Sequence, residues 1–118
     1  MIKGVYEWND GKKYEGTWKN NNMEGKGKYF YNDGRIYEGM FHNNLKDGFG
    51  IFYWPEGRRY EGNWLKGKPH GKGKYFSKGK IKVGIWKKGV ITKWISKRNS
   101  QGLKIKAGND SPINNNRN

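Results

Sequence analysis

The sequence predicts an all-β fold: a single-layer, twisted antiparallel meander of β-hairpins with a C-terminal cap and a disordered or extended tail. Three observations support this prediction: an element repeated every 23 residues, side chains that alternate with a period of two, and turn signals between the runs. The repeated element is Tyr-Glu-Gly, followed two residues later by an aromatic, at residues 14–18, 37–41 and 60–64, with a damaged copy at 82–86. Fixed periods of roughly 20–50 residues are typical of stacked structural repeats.

Two further elements keep the same register and define a hairpin. A Gly-x-Gly run, followed by an aromatic, stands at residues 25–27, 48–50 and 71–73, and a run ending in glycine stands at residues 9–11, 32–34, 55–57 and 77–79. Type I′ turns need positive φ at both central residues, so Asp10-Gly11 predicts such a turn. The polar residues 19–24 predict the loop between the two strands of one hairpin, the second strand beginning at Gly25.

Strand alternation places Tyr14 and Gly16 on one face of the sheet and Glu15 on the other. Glycine within a strand needs a reason, and a Tyr or Trp ring lying over the bare backbone at Gly16, Gly25 or Gly27 supplies one. A sheet of this kind is expected to have little conventional core and to depend on contacts between neighbouring repeats.

The combination of these three elements resembles the MORN repeat (membrane occupation and recognition nexus). The resemblance divides a repeat sheet at residues 1–98 into a half unit at 2–11, units at 14–34, 37–57 and 60–79, and a degenerate cap at 82–98. The cap departs from the family pattern, since Lys82 and Val83 replace Tyr and Glu and no Gly-x-Gly run follows. The resemblance implies an elongated antiparallel sheet, sometimes with a C-terminal helix, that acts as a scaffold through its groove; some members are proposed to bind phosphoinositide membranes.

The C-terminal region leaves two interpretations open. Residues 90–95 are rich in β-branched side chains and suit a last strand, whereas a capping helix over 94–98 is the alternative. From residue 99 onward Ser, Gln, Gly and Asn predominate, which predicts a tail over 99–118 that is flexible or orders only against a partner.

Composition limits the class of protein. The chain has 118 residues, is 32% hydrophobic and 16% aromatic, and contains no cysteine. One domain is therefore expected, without disulfides or thiolate metal sites, and an intracellular, reducing compartment is favoured. No apolar run reaches the roughly 20 residues that cross a bilayer, and the repeat begins too early to leave room for a signal peptide.

The charge is concentrated at one end. Residues 1–64 have a net charge of +1, whereas residues 65–118 have +14 of the total +15. Solubility is the plainer explanation, but a one-ended field favours a densely negative partner. The residues predicted to bind an anionic surface are Lys72, Lys74, Lys78, Lys80, Lys82, Lys87, Lys88, Lys93, Lys97 and Arg98. Strand parity is expected to place Lys72 and Lys74 together, with Lys80 and Lys82 nearby.

The aromatic residues are first of all structural, but a single-layer sheet cannot hide both faces, and exposed aromatic patches commonly mark binding sites. The predicted partner-binding aromatic face consists of Tyr14, Trp18, Tyr29, Tyr37, Phe41, Phe52, Tyr60, Trp64, Tyr75 and Trp86.

Catalysis, metal binding and cofactor binding are not expected. His42 and His70 lie at non-equivalent repeat positions, and no cluster of His, Asp and Glu has the spacing of a metal site. Glu15, Glu38 and Glu61 recur with the repeat and are expected to pair with Lys or backbone groups on the face opposite the tyrosines. The Gly-x-Gly runs open strands, so they are structural glycines rather than phosphate loops.

The sequence favours a non-catalytic scaffold or adaptor that binds protein partners in a larger assembly, with a cytoskeletal or axonemal setting by family analogy. The alternative is a peripheral protein on the cytoplasmic face of a membrane, bound to anionic phospholipids or phosphoinositides through its lysines. RNA binding ranks below both, because the repeat already uses the aromatics. Residues 2–8 form an open edge that is expected to pair with a second copy or a partner strand.

Overall fold

The computed structural model of the protein describes residues 1–95 and the backbone of residues 97–98 and 104–105. Nine strands form one sheet in chain order: β1 (Ile2–Glu7), β2 (Lys13–Lys19), β3 (Asn22–Phe30), β4 (Ile36–His42), β5 (Leu45–Tyr53), β6 (Arg59–Leu65), β7 (Lys68–Ser77), β8 (Lys80–Lys87) and β9 (Val90–Ile95). Neighbouring strands are antiparallel. A separate antiparallel pair joins β10 (Lys97–Arg98) to β11 (Lys104–Ile105). The described residues contain no helix, so the predicted all-β meander is confirmed.

A line of glycines crosses the sheet, because glycine faces glycine in each pair of neighbouring strands from β1 to β8. Its members are Gly4, Gly16, Gly27, Gly39, Gly50, Gly62, Gly73 and Gly84. The Tyr14 ring occupies the space that a Cβ atom would need at Gly16 and Gly27, and Tyr37 occupies it at Gly50. The prediction that rings cover strand glycines is confirmed at these positions.

Gly25 has a different role from the one predicted. It has a φ of 80°, and a Cβ atom there would meet the Thr17 hydroxyl rather than an aromatic ring. The register shifts between Gly16 and Trp18, so three residues of β3 lie opposite one residue of β2. Gly25 is therefore a bulge residue, and glycine is favoured there because its backbone is left-handed.

The type I′ turn was predicted at Asp10-Gly11, but it occurs in the segment that was predicted to be a longer loop. Type I′ geometry occurs inside the predicted loop, at Asn20 (φ 50°) and Asn21 (φ 65°). At the predicted site only Gly11 has a positive φ, of 97°, and its N–H donates to the Trp8 carbonyl over 3.0 Å. A three-residue loop needs one left-handed residue before the strand resumes, whereas a two-residue loop needs two. Asn tolerates that conformation, which is why Asn-Asn suffices without glycine.

The sheet has a continuous aromatic core on one face, contrary to the expectation of little core. Its buried members are Tyr14, Met23, Tyr37, Phe41, Phe52, Tyr60, Trp64, Trp86 and Ile91. Rings of neighbouring repeats pack edge to face: Tyr14 lies 5.1 Å from Phe41 between ring centroids, and Tyr60 lies 4.9 Å from Trp86. This geometry is the favoured one for aromatic pairs and couples each repeat to the next.

The cap is a strand hairpin. Residues 90–95 form β9, as one of the two interpretations predicted, and Lys97–Arg98 is a strand, so the alternative helix over 94–98 is wrong. The register of β8 and β9 shifts beside Trp86, and Trp86 lies opposite Ile91. This pair is equivalent to Trp18 and Met23 in the first full repeat. The tail predicted at 99–118 lies outside the described residues, apart from the backbone of β11.

Candidate partner-binding groove

The predicted aromatic residues all lie on one face of the sheet, and most of them are buried in its core. Seven are buried: Tyr14, Tyr37, Phe41, Phe52, Tyr60, Trp64 and Trp86. The other three, Trp18, Tyr29 and Tyr75, are half-buried and pack against the core from outside. The face therefore offers a partner only part of the ring surface that the sequence suggested.

A groove runs over the middle of this face. It is lined by Tyr31, Arg35, Lys46, Phe52, Trp54, Tyr60, Trp64, Gly67, Pro69, Tyr75, Trp86 and Gly89, and its volume is about 300 Å³. We call it the aromatic groove. Tyr31 and Trp54 were not among the predicted residues; they follow the second strand of their repeats, and each is half-buried.

Lys46 lies inside the aromatic groove. Its ammonium donates to the Tyr31 hydroxyl over 2.9 Å and lies 5.4 Å from the centroid of the Trp64 ring. The rings of Tyr37 and Phe52 are also near, at 5.6 and 5.9 Å. Cations over aromatic faces are attracted by the ring quadrupole. Nevertheless, burial lowers the pKa of Lys46, and the nearby positive charge of Arg35 lowers it further.

The position of Lys46 in the repeat is otherwise apolar. Each first strand places a large aromatic opposite this position, and the residues found there are Met23, Lys46, Pro69 and Ile91. Within residues 1–95, none of the ion pairs includes Lys46. A long cation at a core position without a carboxylate partner costs stability, so its presence needs a reason outside packing.

Two arginines cover aromatic rings at one side of the groove. Arg35 lies 4.6 Å from the Tyr31 ring and Arg58 lies 4.6 Å from the Trp54 ring. Arg35 Nε is 2.7 Å from a carboxylate oxygen of Asp33. Both guanidinium groups are thus partly neutralised by nearby acids, since Arg58 pairs with Glu56.

The predicted anion-binding residues do not form one patch. Lys72, Lys74 and Lys93 lie on the face opposite the groove, because Lys74 pairs with Val83 and both Lys72 and Lys93 pair with Ile85. Lys80 and Lys82 lie on the neighbouring strand but have the other parity, so their side chains are on the face opposite that of Lys74. Lys82 Nζ lies 5.4 Å from the Trp94 ring, on the aromatic face.

Three further members of that set lie at the ends of β8. Lys78 belongs to the turn before β8, and Lys88 to the turn after it, where Lys87 ends the strand; the two turns lie at opposite ends of β8. The side chains of Lys97 and Arg98 lie outside the described residues. The alternation of side chains in a sheet therefore places these lysines on both faces and at both ends of β8. The number of lysines in a stretch of sequence cannot show this.

The face opposite the groove, which we call the charged face, has the predicted glutamates. Glu15 pairs with Lys13 over 3.1 Å and Glu61 pairs with Arg59 over 2.7 Å. Glu38 is directly opposite Lys28 in the register of β3 and β4. Glu15 thus pairs with a lysine as predicted, whereas the partner of Glu61 is an arginine.

The two histidines lie in strands beside the tight turns: His42 ends β4, and His70 is near the start of β7. Glu24, Asp47 and His70 are equivalent residues of successive repeats, and each accepts a hydrogen bond from a backbone N–H of the next repeat's turn. Glu24 also lies 2.8 Å from His42 Nδ1. The N–H of Asn43 first, and then His42, lower the pKa of Glu24. Within the described residues, no three His, Asp or Glu side chains are placed to hold a metal ion.

These features define a β-repeat protein that presents side chains for contact on a rigid sheet. The family model of the MORN repeat matches residues 3–13, 14–34, 37–57 and 60–81. The chain therefore belongs to the MORN repeat family, which is generally non-catalytic and takes part in interactions. No curated protein matches the chain significantly. In the part of the chain that the structure describes, no helix is long and apolar enough to span a membrane.

Proposed function

We propose that this protein is a non-catalytic scaffold or adaptor subunit whose aromatic groove binds a segment of a partner protein, with a partner carboxylate paired to Lys46. The observation that carries the proposal is a lysine at a core position of the repeat, inside an aromatic groove. An intracellular assembly of cytoskeletal or ciliary type would suit a rigid, basic sheet of this kind.

The partner segment would have an acidic residue flanked by apolar ones. The ammonium of Lys46 has three donors, of which one bonds to Tyr31. Its other donors could bond to a carboxylate, and such charge-assisted bonds are stronger than bonds between neutral groups. The half-buried rings of Trp54 and Tyr75 would cover apolar side chains of the same segment, because rigid rings lose little conformational freedom on binding.

The test is a selection of random peptides by display on the full chain, followed by measurement of the dissociation constants of the selected peptides. We expect enrichment of peptides with Asp or Glu between apolar residues. Replacement Lys46→Met should weaken their binding about tenfold or more, because a bond to a charged group is removed. Met matches the residue found at the equivalent position 23, so the fold should persist.

The matched control is Lys74→Met on the charged face. It removes the same charge from the chain without touching the groove, so peptide affinity should stay near that of the wild type. Selected peptides without acidic residues, or equal loss of affinity in both variants, would refute the role of Lys46. Failure to select any peptide would count against the groove itself.

The second candidate function is attachment to an anionic membrane. It is favoured by the net charge of +14 in residues 65–118. Flotation with phosphatidylcholine vesicles, with and without phosphatidylserine, tests it over a range of salt concentrations. Binding that requires phosphatidylserine and disappears as salt rises would support this function, whereas equal flotation with both kinds of vesicle, or none, would reject it.

A further inference from the structure

β1 is an edge of the nine-stranded sheet, and all of its residues except Gly4 are exposed. The exposed fraction is 75% for Ile2, 64% for Val5 and 53% for Tyr6. Strand β3, which has the same Gly-x-Tyr pattern, pairs on both sides, whereas β1 pairs only with β2. An exposed apolar edge with unpaired backbone groups favours the addition of another strand.

The sequence of β1 is complementary to itself in one antiparallel register. When two copies are centred on Val5, Lys3 of each lies opposite Glu7 of the other, and Gly4 lies opposite Tyr6. Opposite charges across a strand pair are favourable, and an aromatic residue opposite a glycine can cover the bare backbone. Neither Lys3 nor Glu7 forms an ion pair within residues 1–95.

We propose that β1 pairs with β1 of a second copy of this chain, antiparallel and centred on Val5, to form a two-fold symmetric dimer. The partner strand adds to the open side of β1 and continues the sheet. Residues opposite each other in an antiparallel pair share a face. The aromatic faces of both copies therefore lie on the same side.

Other registers of the same pair are less favourable. A shift of two residues places Lys3 or Glu7 opposite Val5, so Lys3 and Glu7 lose each other as partners across the strand pair. A shift of one residue would place the aromatic face of one copy beside the charged face of the other. Only the register centred on Val5 places Lys3 of each copy opposite Glu7 of the other.

The other sheet edge does not suit self-association. β9 has Lys93 and no acidic residue, and it lies in the region of the chain with a net charge of +14. A pair formed through β1 instead joins the halves with a net charge of +1 and keeps the two basic ends far apart. Repulsion between like charges therefore favours β1 over β9 as the contact.

The first test measures the mass of the full chain by sedimentation over a range of concentrations. The wild type should dimerise, whereas Lys3→Glu and Glu7→Lys should each raise the dimer dissociation constant at least tenfold, since each places like charges opposite each other. An equimolar mixture of these two variants should associate again, because each supplies the charges that the other lacks. A wild type that stays monomeric, or a mixture that does not associate, would overturn the proposal.

The second test uses the absence of cysteine from the sequence. At the symmetry axis the two Val5 Cα atoms would be about 4.5–5.5 Å apart, a separation that a disulfide can bridge. Mild oxidation of Val5→Cys should give a covalent dimer that retains the far-ultraviolet circular dichroism of the wild type. Thr92→Cys, exposed on the opposite edge, is the matched control and should stay monomeric. Equal crosslinking of both variants would refute the register.

Discussion

The two faces of this sheet are stabilised by different interactions, although the same strands build both. On the aromatic face Tyr14 and Tyr37 are fully buried, and their hydroxyls donate to backbone carbonyls three residues later over 3.0 and 2.9 Å. On the charged face Phe76 is half-buried beneath a cation, since Arg59 lies 3.7 Å from its ring centroid. The fold should therefore depend far more on the aromatic face, because buried rings contribute several times more than exposed ion pairs.

The largest effect should follow from Gly50→Ala. The new methyl group would occupy the position of the Tyr37 hydroxyl and ring, which is enclosed and has nowhere to move. Displacing that ring should cost about 3–5 kcal/mol of unfolding free energy, as for loss of a buried aromatic. Urea denaturation measures it, and Glu38→Ala on the charged face is the control, with an expected change below about 0.5 kcal/mol. Similar costs for the two variants would contradict this difference between the faces.

An intermediate effect is expected from alkaline pH. Burial raises the pKa of Tyr37 and of Tyr60, so both phenols stay protonated in the folded state when those of the unfolded chain ionise near pH 10. The unfolded state then holds fewer protons, and stability falls as pH rises above about 10. Each phenol contributes at most about 1.4 kcal/mol per pH unit in that window.

The pH effect is best measured as the urea midpoint of Lys46→Met between about pH 9 and about pH 11. This background removes Lys46, whose lowered pKa would act in the opposite direction, since its folded form gives up a proton first. Adding Tyr60→Phe should make the fall in stability with pH less steep, because one of the two buried phenols no longer contributes. An unchanged slope would mean that Tyr60 ionises as readily in the folded state as in the unfolded chain.

The aromatic face could be predicted from sequence because its constraints are local and repeat. Tyr14 and Gly16 stand two residues apart, so strand parity alone places the ring near the glycine line. Lys46 was missed for a physical reason: it is equivalent to Met23, which lies in the loop predicted over 19–24, but two Asn residues complete the turn and leave Lys46 inside β5. Aligning it with Met23 and Pro69 would have revealed a charge at a core position.

The dispersion of the lysines could not be predicted from net charge. Strand parity was sufficient for Lys72 and Lys74, but the face of Lys82 depends on the pairing of β7 with β8. The tight turn at Lys78 and Gly79 fixes that register, whereas the earlier repeats have a three-residue turn in the same place. Despite the shorter turn, Lys82 lies opposite Tyr75, on the face that the tyrosines of the earlier repeats occupy.

The smallest effect should come from the ion pairs of the charged face. Glu61→Gln removes the ion pair with Arg59. The side chain of Glu61 is 25% exposed and that of Arg59 is 38% exposed. Solvent screens such a pair, so the expected loss of unfolding free energy is below about 0.5 kcal/mol and should shrink further as salt is added. The stacking of Arg59 on Phe76 does not need Glu61 and should persist. A loss above about 1 kcal/mol that survives high salt would show that the charged face, too, is part of what specifies the fold.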